Sequence, residues 1–272
     1  LKNWRNGKER GPVPTAGELE RALFQLAPRD LAESWDNVGL LVGDCGREIH
    51  RALIALDVTA GTAAEAKEAG AELLVAHHPV MNCNWSPVQT LRDDSQQGRL
   101  LLQLVRDGTA AICMHTNLDA AQGGVSDALA RRLGLEQTAV LEGGGGIVRM
   151  GLLPEEMPLP AFLALVRERL RPNGIRFADG GRPVRRVAVG GGACGEFFAA
   201  AAEQGCDAFV TADVKYNQFM DAAGLGLSIL DAGHFPTEDV VCAVLAQFLQ
   251  EQFPALEIIK SVSHREIVQY YV

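Results

Sequence analysis

From Ala52 onward, short apolar runs alternate with stretches rich in Ala, Glu and Lys, and this rhythm constrains the fold more than any other feature. ALIALD (52–57) is followed by TAAEAKEAG, AELLVAHH, GRLLLQLVRDG and AAICMHTNLD. Runs that are apolar end to end belong to strands buried on both faces, and such strands, spaced by helices, pair in parallel. The rhythm returns in RRVAVGGGACG (185–195), a helix through EFFAAAAEQG, CDAFVTAD, a helix from Tyr216, LSILDAGH (227–234) and a final helix over 237–253. The expectation is an α/β fold of two similar lobes with mostly parallel sheets, an N-terminal lobe over 1–142 and a C-terminal lobe over 143–272, related by an internal pseudo-repeat. The tetraglycine at 143–146 reads as a flexible connection between them. After it, residues 150–170 read as a strand and then a helix beginning near Leu159, with Pro160 in its first turn. At 272 residues and 47% hydrophobic composition, the chain can bury a sizeable core.

Of the six histidines, His77, His78, His115 and His234 all fall just after expected strands. Ligands of open α/β sheets bind at the carboxyl ends of parallel strands. Adjacent His77 and His78 would face opposite sides of a regular strand, so a shared site requires the chain to turn there, which Pro79 favours. The pair then suits two neighbouring metals. With Asp119 and Glu238 close in the pattern, the donor set mixes nitrogen and oxygen, which fits zinc, iron, manganese or cobalt better than magnesium or calcium. The six cysteines lie far apart without a C-x-x-C pair, so they read as reduced thiols rather than ligands.

The stretch LDAGHFPTED (230–239) admits two readings. Thr237 can cap the following helix, with Glu238 and Asp239 favourable in its first turn. That leaves His234 without a role. Pro236 disfavours helical angles at Phe235, which puts His234 on the loop and Glu238 just inside the helix, where both can aim inward as ligands.

Taken in order, SWDNVGLLVGD (34–44), LLVAHHPV (73–80), MHTNLDAAQGGVSDALARRLGL (114–135), VAVGGGACG (187–195), TADVKYN (211–217) and LDAGHFPTE (230–238) give the chain from about Pro14 onward a family identity. It resembles the GTP cyclohydrolase 1 type 2 homologs, NGG-interacting-factor-three-like proteins with a dinuclear metal centre. The resemblance implies that His77, His78, Asp119, His234 and Glu238 bind two divalent metals, with a carboxylate able to bridge them. It also implies a ring-shaped homohexamer with its sites facing an interior cavity. His115 then becomes a substrate-facing group or one that orients a ligand, and Asp36 and Asn37 belong to the wall. Longer members carry an inserted third domain, for which this chain is too short.

Two departures bear on activity. Where members usually read Thr-Gly-Asp and end on a histidine, this chain has Thr211, Ala212, Asp213 and then Asn217. After HHP, the stretch Met81, Asn82, Cys83, Asn84, Trp85 replaces one that often holds a phenylalanine and a lysine.

Gly190, Gly192 and Gly195 also satisfy G-x-G-x-x-G, with Asp213 near the place of a dinucleotide-binding acid. That model gives no role to HHP, HTNLD or GHFPTE. The glycines are better read as allowing close packing or presenting amides to an anion. Lys and Arg number 25 against 34 Asp and Glu, a net charge of −9, which argues against a nucleic-acid partner. The opening LKNWRNGKERGPVP has no apolar signal core, and no stretch is long and apolar enough for a bilayer, so a cytoplasmic protein is expected. The favoured function is a metal-dependent hydrolase acting on a nucleotide or related heterocycle, with two metals activating water against the imidazole ring of guanine and His115 carrying the proton. The alternative is a non-catalytic metal-binding hexameric scaffold or regulator.

Overall fold

The computed structural model describes residues 11–82 and 88–271. Cys83, Asn84 and Trp85, three of the loop positions singled out above, lie outside the described residues. The elements in chain order are α1 (Ala16–Leu26), β1 (Gly39–Val42), β2 (Arg51–Ala55), α2 (Ala60–Ala69), β3 (Leu73–Ala76), α3 (Gln96–Asp107), β4 (Ala110–Cys113), α4 (Thr116–Ala120) and α5 (Val125–Leu133). They continue with β5 (Glu136–Val140), β6 (Arg149–Met157), α6 (Leu159–Leu170), β7 (Arg176–Ala178), β8 (Val184–Val189), α7 (Phe198–Glu203), β9 (Ala208–Thr211), α8 (Tyr216–Gly224), β10 (Ser228–Asp231), α9 (His234–Glu238), α10 (Val240–Gln252) and β11 (Glu257–Lys260).

The strands form two sheets, ordered β1-β4-β3-β2-β11 and β5-β6-β8-β9-β10-β7. In the first, β4, β3, β2 and β11 are parallel and β1 is antiparallel. In the second, β8, β9 and β10 are parallel, with antiparallel pairing on either side. One four-strand pattern occurs twice: β1-β4-β3-β2 and β7-β10-β9-β8 share order and direction, the topological form of the pseudo-repeat read from the sequence. Every residue of β3, β4, β9 and β10 is buried, as continuous apolar runs require. Residues of α1 and α10 cover one face of the first sheet, and residues of α2 and α3 cover the other. The second sheet is covered likewise by α5 and α6 on one face and α7 and α8 on the other.

Three local expectations give way to the structure. The tetraglycine is not a connection between lobes but the turn of the β5–β6 hairpin, where Leu141 N donates to Val148 O at 3.0 Å and Gly143, Gly145 and Gly146 take positive φ. The final helix is two: α9 starts at His234 itself, with Gly233 at φ 87° preceding it. Thr237 therefore sits inside α9 rather than capping a helix, and α10 has no side-chain cap. The chain end also returns across the molecule, because β11 pairs with β2 and Leu245, Leu249 and Leu256 join the core beneath the first sheet.

Among the described residues no helix is long and apolar enough to cross a membrane.

Candidate metal centre

The carboxyl ends of β2, β3 and β4 in one sheet and of β9 and β10 in the other converge on one cluster of side chains. At the end of β3 the strand register stops, and the amides of His77 and His78 both donate to Leu56 O, at 3.1 and 3.0 Å. Two successive amides on one carbonyl turn the backbone, with Pro79 following. The two rings end up on the same side, with centroids 4.9 Å apart.

Each histidine is held by its Nδ1, which directs Nε2 into the cluster. His77, fully buried, donates from Nδ1 to Met114 O at 2.8 Å. His78 uses Asp57 Oδ1 at 2.7 Å, and His234 uses Asp213 Oδ2 at 2.6 Å. His115 bonds Asp36 Oδ1 at 2.9 Å, and Asp36 Oδ2 accepts from the Thr116 amide at 3.0 Å and from its hydroxyl. A partner on one ring nitrogen fixes the tautomer and orientation of the other, the usual support of a metal-ligating histidine.

Glu238 lies at the focus. Its Oε2 is 3.0 Å from both His78 Nε2 and His234 Nε2, and its Oε1 is 3.8 Å from His77 Nε2. Asp119, on α4, approaches His77 Nε2 at 3.5 Å. Three overlapping groups have donor atoms close enough to share an ion: His78, His234 and Glu238; His77, Asp119 and Glu238; and His77, His78 and His115. The structure thus brings together every residue named from the sequence as ligand or proton carrier. Two buried donor atoms, His77 Nε2 and Glu238 Oε2, make no well-aligned hydrogen bond within the protein. Leaving such atoms unsatisfied costs on the order of 1–3 kcal/mol each. A cation between them removes that penalty, so the donor set fits a metal.

The electrostatics follow from this packing. Burial is the largest influence on His77 and pushes it down to about 3, which keeps a lone pair available. Burial also opposes charge on His78 and His234, but the hydrogen-bonded Asp57 and the adjacent Glu238 carboxylate push the first up to about 10, and the hydrogen-bonded Asp213 and the same Glu238 carboxylate push the second up to about 11. Burial and the neighbouring Glu238 charge raise Asp119. Against its own burial, Glu238 is held low by the His234 and His78 rings beside it. Burial likewise works against Asp36, yet His115 and Thr116 hold its carboxyl down at about 2.

The glycine motif serves this cluster. A Cβ on Gly192 would stand 2.1 Å from Glu238 Oε1, and one on Gly191 would stand 2.4 Å from Val125 Cγ1. The loop can therefore lie against the carboxylate only as glycine. Gly192 N donates to Thr237 Oγ1 at 3.1 Å, and that hydroxyl shares its one proton between the carbonyls of Gly233 and His234, 2.9 Å from each, which fastens the loop to α9. Asp213, weighed from the sequence as a dinucleotide-binding acid, is instead engaged by His234.

A cavity of about 470 Å³ opens over the cluster, lined among others by Trp35, His115, Ile147 and Cys194. Its described lining contains Asp57, Asp119 and Glu238 but neither lysine nor arginine. Asn37 does not line it; its amide ties the WDN segment to Met81 O at 2.9 Å. Asn217 is exposed at the start of α8 and is absent from the described lining. The roles of Asp57 and Asp213 as histidine anchors were missed in the sequence, where the available signal was an aspartate just past an apolar run, in ALIALD and FVTAD.

A model of the Duf34/NIF3 (NGG1p interacting factor 3) family matches residues 14–266. A Streptomyces coelicolor protein named GTP cyclohydrolase 1 type 2 homolog is 37% identical over 250 residues, covering 88% of this chain and 87% of that protein. A Clostridium perfringens protein of the same name is 32% identical over 241 residues, covering 86% and 91%. In fold, the chain is similar to a crystal structure of a Bacillus cereus protein related to NIF3, with a TM-score of 0.87, 24% identity and coverage of 95% and 99%.

Proposed function

The chain belongs to the Duf34/NIF3 family, and from that premise we propose that it is a dinuclear-metal hydrolase acting on a nucleotide or related heterocycle. The observation that carries the reading is the position of Glu238 in two donor groups at once, beside His78 and His234 on one side and His77 and Asp119 on the other. One carboxylate shared by two such groups suits a bridge between two ions, with zinc, iron, manganese and cobalt all compatible with nitrogen and oxygen donors. When bound, the two ions would supply Lewis acidity and lower the pKa of a water toward neutrality.

The remaining chemistry belongs to the chain. Asp36 holds His115 by Nδ1, so the ring presents its other nitrogen beside His77 and His78, with centroids 5.2 and 5.6 Å away. That is the placement of a group that takes a proton from water and returns it to a leaving nitrogen, and His115 is assigned that role. Trp35 stands edge-on to His115, with centroids 6.1 Å apart, and gives the cavity a flat wall suited to a planar base. With no lysine or arginine in the described lining, the cavity suits the heterocycle of a nucleotide better than its phosphates. The name shared by the Streptomyces coelicolor and Clostridium perfringens relatives supports guanine ring opening as the first reaction to test.

The lack of a lysine or arginine in the described lining to hold phosphates is also the observation that favours the second reading, a non-catalytic metal-binding scaffold or regulator. Protein reconstituted separately with zinc, iron, manganese and cobalt, assayed against GTP and a nucleotide panel, separates the two. Metal-dependent turnover abolished by His115→Ala supports the hydrolase. Full metal loading with no turnover of any nucleotide would leave the scaffold.

A further inference from the structure

We propose that His264, on the segment following the last strand, is a positioning residue of the metal centre that holds Asp57 so that Asp57 aims His78. The proposal rests on the metal-binding reading above and concerns a residue outside all of its donor groups.

The placement begins with β11. Because it runs parallel to β2, pairing Ile258 with Ala52 and Lys260 with Ile54, its carboxyl end emerges at the same sheet edge as Asp57. Ser261 N donates to Ile54 O at 2.8 Å, and the chain then turns. Glu65, on α2, fastens the turn. Its carboxylate accepts from the amides of Val262 and Ser263, at 2.8 and 3.3 Å, and from the hydroxyls of Ser261 and Ser263. His264 N donates to Ser261 Oγ at 3.2 Å, which brings the ring back toward the site.

The two oxygens of Asp57 are divided between two histidines. Oδ1 accepts from His78 Nδ1 and Oδ2 from His264 Nε2, each at 2.7 Å. A carboxylate with one partner can rotate about its last torsion, whereas one held at both ends cannot do so without breaking a bond. The Asp57 side chain is 36% exposed, so packing alone does not fix it. The far side of the His264 ring meets Phe235 edge-on, with centroids 5.0 Å apart. Phe235 is the neighbour of His234 on α9. His264 thus braces both the anchor of His78 and the helix that carries His234 and Glu238. Outer partners of this kind are typically worth 10–100-fold in metal affinity.

The test uses the full chain and cobalt(II), whose visible absorption reports ligand geometry, with a competing chelator to give affinity. His264→Leu removes the donor. His264→Gln restores one, because the glutamine amide nitrogen reaches about where Nε2 stands. The expected result is tenfold or greater weakening and an altered cobalt spectrum in His264→Leu, with recovery in His264→Gln. Wild-type affinity and spectrum in His264→Leu, whatever its melting temperature, would overturn the proposal, because a merely structural histidine affects only stability. Equal weakening in the glutamine variant would overturn it too. If the leucine variant does not fold, His264→Asn, too short to reach Asp57, supplies the same comparison. Wild-type protein that takes up no cobalt sinks the metal reading itself, an outcome distinct from the others.

Discussion

Glu238 shows how much one side chain can be asked to do. Replacing it with glutamine keeps the shape and removes the charge that both donor groups share, so both ions are expected to be lost or greatly weakened, as measured by elemental analysis. Full occupancy in Glu238→Gln would remove it from the ligand set. Thr237 supplies a contrast different from that of a helix cap. Its buried hydroxyl accepts one hydrogen bond from the Gly192 loop and donates back to the first turn of α9, so Thr237→Val is expected to cost about 1–3 kcal/mol in denaturant unfolding. Gly192→Ala is more severe for the site than for the fold, since its methyl would have to displace Glu238 Oε1 from a 2.1 Å approach. Reduced metal affinity with the far-UV spectrum retained is the expected outcome, and unchanged affinity would show that the loop can move away. The strand-end histidines were legible in the sequence because their position depends only on where apolar runs stop. Their anchors were not. Whether His78 meets Asp57, or His234 meets Asp213, depends on sheet order and on loop paths, which no local pattern encodes.

At the scale of elements, the three parallel strands of each lobe were readable because burial on both faces writes a continuous apolar run. The strands that failed to announce themselves are those with mixed exposure. β5 is exposed along its whole length, and β11 is exposed at both ends. Missing β5 made the tetraglycine look like a linker, and missing β11 hid the neighbourhood of His264. Arg149, at the start of β6, is the strongest single tie between elements that periodicity could not show. Its buried guanidinium pairs with Asp127 at 3.2 Å and donates to the carbonyls of Ala120, Ala121 and Gly146. Arg149→Met strands Asp127 and those carbonyls, and a loss of about 3–5 kcal/mol in unfolding free energy is expected. The turn after β11 has a pH signature. Burial opposes ionisation of Glu65, but its bonds from Ser261, Ser263 and Val262 outweigh that and lower its pKa. A carboxyl lowered in the fold stabilises above its unfolded value, near 4.5, and that contribution is lost as pH falls through the folded value. Amide exchange at Val262 and Ser263 should therefore accelerate as pH falls below about 4.5, relative to core amides. Glu65→Gln should exchange fast throughout; protection that ignores this substitution would show that the turn is held by something else.

At the scale of the whole molecule, the unexplained surface is apolar. Tyr216 and Met220 are 78% and 54% exposed on one face of α8. Their spacing of four residues puts Tyr216 and Met220 side by side. An exposed tyrosine and methionine side by side suit a contact surface, and the occupant proposed here is a second copy of the chain, within the homohexameric ring that the family resemblance implies. Light scattering should then give a mass six times that of the 29.2 kDa protomer. A protomer mass at micromolar concentration would refute the ring. The double change Tyr216→Glu and Met220→Glu sets two charges into this contact and is expected to dissociate the assembly while leaving metal content intact, because neither residue lies in a donor group. The same variant tests how a nucleotide could be held over a cavity whose described lining has no lysine or arginine. If neighbouring protomers supply the missing positive charge, the dissociated protein should bind guanosine as well as the ring does and GTP at least tenfold more weakly. Equal loss for both ligands would place the defect in the cavity, and no loss for either would mean that each protomer recognises its ligand alone.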